Sequence, residues 1–196
     1  MHMRAVTLVF SLALSCAAAV AADPAPVRVL LRTELGDIVV EVDAARAPIT
    51  AANFLRYVDG GFYNGGRFHR TVTLQNQPQN KVKIEVIQAG ADPAREKQGF
   101  PPIPLERTSK TGLKHLDGSI SMARDGPDTA TSDFFICIGD QPSLDFGGQR
   151  NPDGQGFAAF GHVIRGMDVV RKIQASAAEG QKLMPAVKIL RAAQAK

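Results

Sequence analysis

Cysteine is scarce in this chain of 196 residues, occurring only as Cys16 and Cys137. Cys16 falls in an N-terminal stretch expected to be removed, and one remaining thiol cannot close an internal disulfide. Stability must then come from an apolar core. Cys137 sits in the apolar run DFFICIG, which predicts an inert buried thiol rather than an exposed low-pKa nucleophile. Charge of one sign is lacking too. Lys and Arg number 23 against 19 Asp and Glu, a net +4, and they are scattered, which argues against a nucleic-acid partner. Ligand clusters are missing: His69, His115 and His162 stand far apart and alone, so each reads as a structural histidine rather than a metal ligand. There is no G-x-S-x-G elbow, and GGFYNGG lacks the G-K-[ST] of a phosphate loop. QPSLDFGGQRNPDGQG offers Asp145, Asn151 and Asp153 but has neither EF-hand spacing nor a terminal glutamate, and reads as a polar surface loop.

What is present is ordinary for a globular chain: 44% apolar and 21% charged residues, at a length that suits one domain with a sizeable core. The first residues form a processing segment. Arg4 precedes the apolar run Ala5–Leu14, and Ala19-Val20-Ala21 is an A-x-A cleavage site, so residues 1–21 are expected to be a signal peptide and 22–196 a single domain. The run is too short for a stable membrane anchor. Removing Arg4 with the leader leaves a net charge of +3. Lipidation at Cys16 is the alternative; the position three residues upstream, where such sites want leucine, is Ala13. Periplasmic or secreted localisation follows, with no membrane attachment once the leader is gone.

The body reads as β-rich with two helices. VRVLLRTELGDIVVEV gives strands at about Val27–Arg32 and Asp37–Val42 around a turn at Glu34–Gly36. APITAANFLRYVDGG gives a helix opened by Pro48, with Ala51, Phe54, Leu55 and Val58 on one face and Gly60–Gly61 as its stop. RFHRTV, VKIEVIQA, GSISMA, DFFICIG and FAAFGHVI read as further strands, RGMDVVRKIQAS as a second helix, and AVKILRA as a closing strand. Glycine- or proline-rich loops interrupt at Lys97–Pro104 and Phe146–Gly156. Eight strands with helices near each end fit a closed antiparallel β-barrel, mainly β in class.

In order and at sensible spacing, FHR, IQAG, SMA-x-x-GP-x-T-x-x-S-x-FFI, SLD and FAAFG-x-V-x-x-GMDVV resemble the cyclophilin family of peptidyl-prolyl cis–trans isomerases. The resemblance spans about Val27 to Leu190, and the leader with the short loop before FHR looks like the family's exported bacterial branch. It implies an eight-stranded barrel capped by two helices. It also implies a rotamase that assists protein folding, needs no cofactor, works as a monomer and takes proline-containing polypeptides as partners.

The chemistry accords with a sequence empty of nucleophiles and bases. The barrier to X–Pro rotation is about 18–20 kcal/mol because the nitrogen lone pair is delocalised into the carbonyl. A donor that hydrogen-bonds the pyramidal nitrogen of the twisted state, and not the planar ground states, lowers that barrier. By resemblance Arg70 is the catalytic arginine, and Gln88 is the catalytic glutamine that bonds the substrate backbone. Phe135 is the floor of the proline pocket, and Val86, Leu144 and Phe157 are its walls. Ala123 lies where the substrate backbone runs, and Phe68 and His69 flank Arg70 as substrate-binding positions. Phe157 replaces a pocket histidine of the family. Ser143 stands where many members have a tryptophan that contributes to cyclosporin binding. The family's short turn after Val72 is replaced by TLQNQPQNKVKIE. This polar excursion, Thr73–Lys83, looks like an extended hairpin, and aligned on IQAG it puts Glu85 at a pocket phenylalanine position. Retention of Arg70, Gln88 and Phe135 favours an active isomerase. Glu85 and Ser143 are what would favour the alternative, a weakly catalytic or non-catalytic proline-peptide binding module or chaperone.

Overall fold

A computed structural model describes residues 26–195. The leader, with its cleavage site and Cys16, lies outside the described residues. Strand β1 (Val27–Thr33) alternates, with Val29 and Leu31 pointing into the core, and pairs antiparallel with β2 (Gly36–Val42). On the outer face of this hairpin Arg28 meets Glu41, and Arg32 meets Asp37, each pair at 3.2 Å. Helix α1 (Pro48–Asp59) has proline in its first turn. Its first free N–H groups are capped from a distance: the Glu106 carboxylate accepts from the amides of Ile49 at 3.1 Å and Thr50 at 2.7 Å.

The chain continues through β3 (Arg67–Val72), β4 (Val86–Gly90), a 3₁₀ turn at Pro93–Gln98, the one-turn helix α2 (Thr108–Thr111), β5 (Ser119–Met122) and β6 (Phe134–Cys137). A second 3₁₀ turn (Pro142–Leu144) precedes β7 (Ala158–Arg165), α3 (Met167–Gln174), the two-residue β8 (Ala178–Glu179) and the long β9 (Lys182–Ala195). Around the barrel the order is β1-β2-β7-β5-β6-β4-β3-β9, and β9 returns to β1. Eight antiparallel strands thus close on themselves and leave no open edge. Strand β8 is an appendage, paired only with the start of β9.

The structure corrects the sequence reading in several places. Among the described residues there are three helices rather than two; α2 is short and carries no apolar periodicity. The strand expected over VKIEVIQA begins only at Val86, and residues 73–85 form an irregular loop rather than a hairpin. The closing strand extends well beyond AVKILRA at both ends.

Two apolar clusters result. The larger fills the barrel, where Phe54, Tyr63, Phe134 and Phe160 pack ring on ring at 5.1–5.5 Å. The smaller lies on the outer face of β4 and β6 and joins Val72, Ile84, Val86, Phe135, Cys137 and Leu144. Strand alternation separates them: Phe134 and Ile136 face inward, Phe135 and Cys137 outward. Burial pushes the Cys137 thiol well above its ordinary pKa, with Asp145 adding to the rise, as expected for an inert core thiol. Gly166, at φ +97°, turns β7 into α3, and a side chain there would strike the Asp37 carbonyl oxygen at 2.4 Å.

Candidate active site

A groove of about 540 Å³ runs along the outer face of the sheet, and the small apolar cluster forms the base of one end. Phe135 is its floor. The Phe157 ring stands edge-on to it at 5.4 Å, and Val86, Leu144 and Ile84 close the sides. Beneath the floor the His115 ring stacks on Phe135 at 5.9 Å. His115 Nδ1 lies 2.8 Å from Asp145 Oδ1, and its Nε2 lies 3.0 Å from Ser121 Oγ. These three residues have the connectivity of a charge relay, but Ser121 is 0% exposed, so no substrate can reach its hydroxyl. Burial alone would raise the Asp145 carboxyl. The hydrogen bonds and charge of His115, with Lys114 nearby, outweigh that and hold it below the usual carboxylate range. The network braces the pocket floor, which accords with reading His115 as structural.

Arg70 and Gln88 face the same groove because of one irregularity. In the β3–β4 ladder Phe68 pairs with Ala89 and Arg70 with Gln88, leaving His69 as the extra residue of a bulge. Strict alternation would put Phe68 and Arg70 on one face. The bulge instead sends Phe68 into the barrel against Phe134 and turns Arg70 outward beside Gln88. Phe68 is therefore corrected from a substrate-binding position to a core residue. His69 is partly exposed beside Asp133, with Nε2 3.6 Å from Oδ2, and does not line the groove.

The Arg70 guanidinium is fixed from two sides. Nε and Nη2 donate to Gln181 Oε1 at 2.9 and 2.7 Å, and Nη1 donates to Gln88 Oε1 at 2.9 Å. Gln88 in turn donates through Nε2 to Asp133 Oδ2 at 3.1 Å. An arginine carries five N–H donors, so one on Nη1 and one on Nη2 have no partner among the described residues. Burial lowers the pKa of Arg70, and the charge of Arg150 lowers it further. Ala123 lies along the groove wall. Beyond Gln88 the groove continues past Ser132 to a second recess walled by Tyr57, Phe62 and Phe100, where Arg95 covers the Phe62 ring at 4.0 Å.

The excursion meets the site differently from its alignment. Ile84, not Glu85, enters the apolar cluster, and the Glu85 carboxylate turns away to accept from Gln174 Nε2 at 3.2 Å. The candidate calcium residues are likewise occupied, Asp145 by His115 and Asp153 by Arg124, the latter in a fork at 2.8 and 3.1 Å. Among the described residues no group of three or more His, Cys, Asp or Glu side chains is placed to hold a metal ion.

The cyclophilin type peptidyl-prolyl cis-trans isomerase family model matches residues 28–194. The chain belongs to that family. Peptidyl-prolyl cis-trans isomerase A of Dickeya dadantii is 40% identical over 146 residues, covering 74% of this chain and 70% of its own. Peptidyl-prolyl cis-trans isomerase B of Escherichia coli is 37% identical over 147 residues, covering 74% and 83%. A Cryptosporidium parvum cyclophilin type isomerase shares the fold, with a TM-score of 0.70 at 23% identity over 87% of this chain and 98% of its own. The same protein has been solved in the presence of the dipeptide Ala-Pro. This cyclophilin is thus an isomerase by family. Its sequence signalled Arg70, Gln88 and the pocket but missed Gln181, Ile84 and Arg150. No motif marks these three, which come from the turn between β8 and β9, the excursion after Val72 and the Phe146–Gly156 loop.

Proposed function

We propose that this cyclophilin accelerates cis–trans rotation of X–Pro bonds in exported proteins. The proline ring sits on Phe135 between Val86, Leu144 and Phe157, and Arg70 acts on the proline nitrogen. One observation carries this: the Arg70 guanidinium is anchored by Gln181 and Gln88 at the edge of an apolar pocket, with two N–H donors unspent among the described residues. Donors held rigid before the reaction cost no reorganisation when the nitrogen becomes pyramidal. Gln88, tied to Asp133, keeps its amide beside the path of the substrate backbone, and the Ala-Pro dipeptide used with the Cryptosporidium protein fits the same chemistry. No proton moves and no bond is made or broken. Lowering a process of tens to hundreds of seconds to about a millisecond needs about 10⁵-fold, or about 7 kcal/mol. One preorganised donor supplies about 3–4 kcal/mol of this, and the pocket's grip on the proline ring supplies the remainder.

Export of the substrate-handling domain rests on the leader pattern at 1–21, with release into the periplasm or medium as a monomer. Two measurements test the reading. Purified protein should raise the exchange rate of an X–Pro peptide seen by two-dimensional NMR; folded protein that leaves the rate at its buffer value refutes catalysis. N-terminal sequencing after expression with its leader should give Ala22, and an intact Met1 would refute export by cleavage.

A further inference from the structure

The Thr73–Lys83 excursion and the Phe146–Gly156 loop meet each other beside the proline pocket. Arg150, on the loop between Leu144 and Phe157, donates from Nη1 to Gln77 Oε1 at 2.9 Å and to the Val82 carbonyl at 2.7 Å, both in the excursion. Its own amide is tied to the Ser143 carbonyl at 3.1 Å. The residue is half-buried and lines the groove at the end where Ile84 closes the pocket, and Asn151 lines it alongside. Those contacts spend only Nη1. The Nε–Nη2 edge, the side of a guanidinium that matches a carboxylate two-for-two, has no partner among the described residues.

A half-buried cation without a counter-ion is costly, and two of them near each other more so. Arg70 and Arg150 form no ion pair among the described residues, and each feels burial; Arg70 also feels Arg150. The acids that could have answered them are engaged. Asp153 is held by Arg124, Asp145 by His115 and Lys114, and Glu85 by Gln174. Of the acids lining the groove, Asp133 is linked to Arg70 only through Gln88, and Asp125 lies beside Thr129. The end of the groove by the proline pocket therefore carries two guanidinium groups that form no ion pair among the described residues.

We propose that Arg150, backed by Arg70, is a carboxylate subsite that makes this isomerase prefer substrates with Asp or Glu adjacent to the proline, on the flank that leaves the pocket toward the Phe146–Gly156 loop. This rests on the isomerase reading above and adds a substrate class to it. Arg150 acts on binding rather than on the twisted amide, so the preference is carried by KM and not by kcat.

The test uses peptides capped at both ends that differ only as Glu or Gln, placed immediately before or immediately after proline. At one of the two positions the Glu peptide should have kcat/KM about tenfold above its Gln twin, as one charge-assisted bidentate contact allows. Most of the gap should vanish in about 0.5 M salt. Arg150→Gln should bring the Glu/Gln ratio to about one, and Arg150→Lys should retain part of it, since each variant is its own control for folding. A wild-type ratio within about twofold of one at both positions overturns the subsite, as does a ratio that Arg150→Gln leaves unchanged. Turnover of the Gln peptides reports separately on the isomerase reading. If no peptide is turned over, that reading falls, and the Glu/Gln affinity ratio by titration still decides the subsite.

Discussion

At Arg70, three N–H groups hold the side chain and two have no partner among the described residues, so orientation and the proposed catalysis are separable in one residue. Arg70→Ala should cost about 10²–10³ in the catalysed rate, comparable to removing one oxyanion donor, while weakening peptide affinity far less. Arg70→Lys should also be poor, because an ammonium cannot donate to Gln181, Gln88 and the nitrogen in one plane. Exchange rate by NMR and affinity by titration on the same folded variant check this; equal losses would mean the arginine merely holds the peptide. Ser143 carries a different expectation. It lies on the 3₁₀ turn before the pocket leucine and offers cyclosporin neither an indole donor nor its apolar surface. Cyclosporin should inhibit weakly, and Ser143→Trp should tighten it by about 1–3 kcal/mol if the ring is buried in the complex. An inhibition assay on the two proteins decides; tight inhibition of the unmodified protein would contradict it.

Elements were legible where their pattern is local. The β1–β2 hairpin alternates, and α1 shows both its apolar face and its proline start. The β3 bulge was not, since nothing in RFHRTV marks His69 as the inserted residue, and alternation without it groups Phe68 with Arg70. The excursion was misread for a related reason. A hairpin needs backbone pairing, but this loop is tied by side chains. Asn76 Oδ1 accepts from the Thr73 amide at 2.9 Å, and its Nδ2 donates to the carbonyls of Thr71 and Gly180, each at 3.0 Å. Gln77, buried in the loop, donates through Nε2 to the carbonyls of Thr73 at 2.8 Å and Ile84 at 2.6 Å. It also accepts from Arg150. Gln77→Ala strands those carbonyls, at a cost of about 1–3 kcal/mol for unpaired buried groups. Urea unfolding should show that loss, and KM for proline peptides should rise as Ile84 is released from the pocket wall. Unchanged stability and KM together would mean that the loop holds its shape without this side chain.

For the whole molecule, the number of strands could be read from alternation, but their order around the barrel could not, because β7 inserts between β2 and β5 and β9 returns to β1 across the full length of the chain. That closure was available only through the resemblance. The pocket inherits its rigidity from it: Phe135 rests on His115, which Asp145 and Ser121 hold from the neighbouring loop and strand. This buried polar link makes stability depend on acid in a predictable direction. The Asp145 carboxyl is held below its ordinary pKa in the folded state, whereas in the unfolded chain it titrates near ~3.9. Between the two values the unfolded state binds more protons, so Asp145's contribution is complete above about pH 4 and is lost as pH falls through the folded value. Asp145→Asn should therefore cost about 1–3 kcal/mol at neutral pH, the worth of hydrogen bonds to a charged group. The gap between the two proteins should narrow as pH drops below about 4, where the unfolded wild-type chain takes up a proton at Asp145, and level off below the folded value, where the folded carboxyl is protonated too. Urea unfolding of both proteins at a series of pH values measures that gap directly. A difference that stays constant down to acid would mean the carboxylate's charge is not what braces the floor, and the stacked His115 would then owe its place to packing alone.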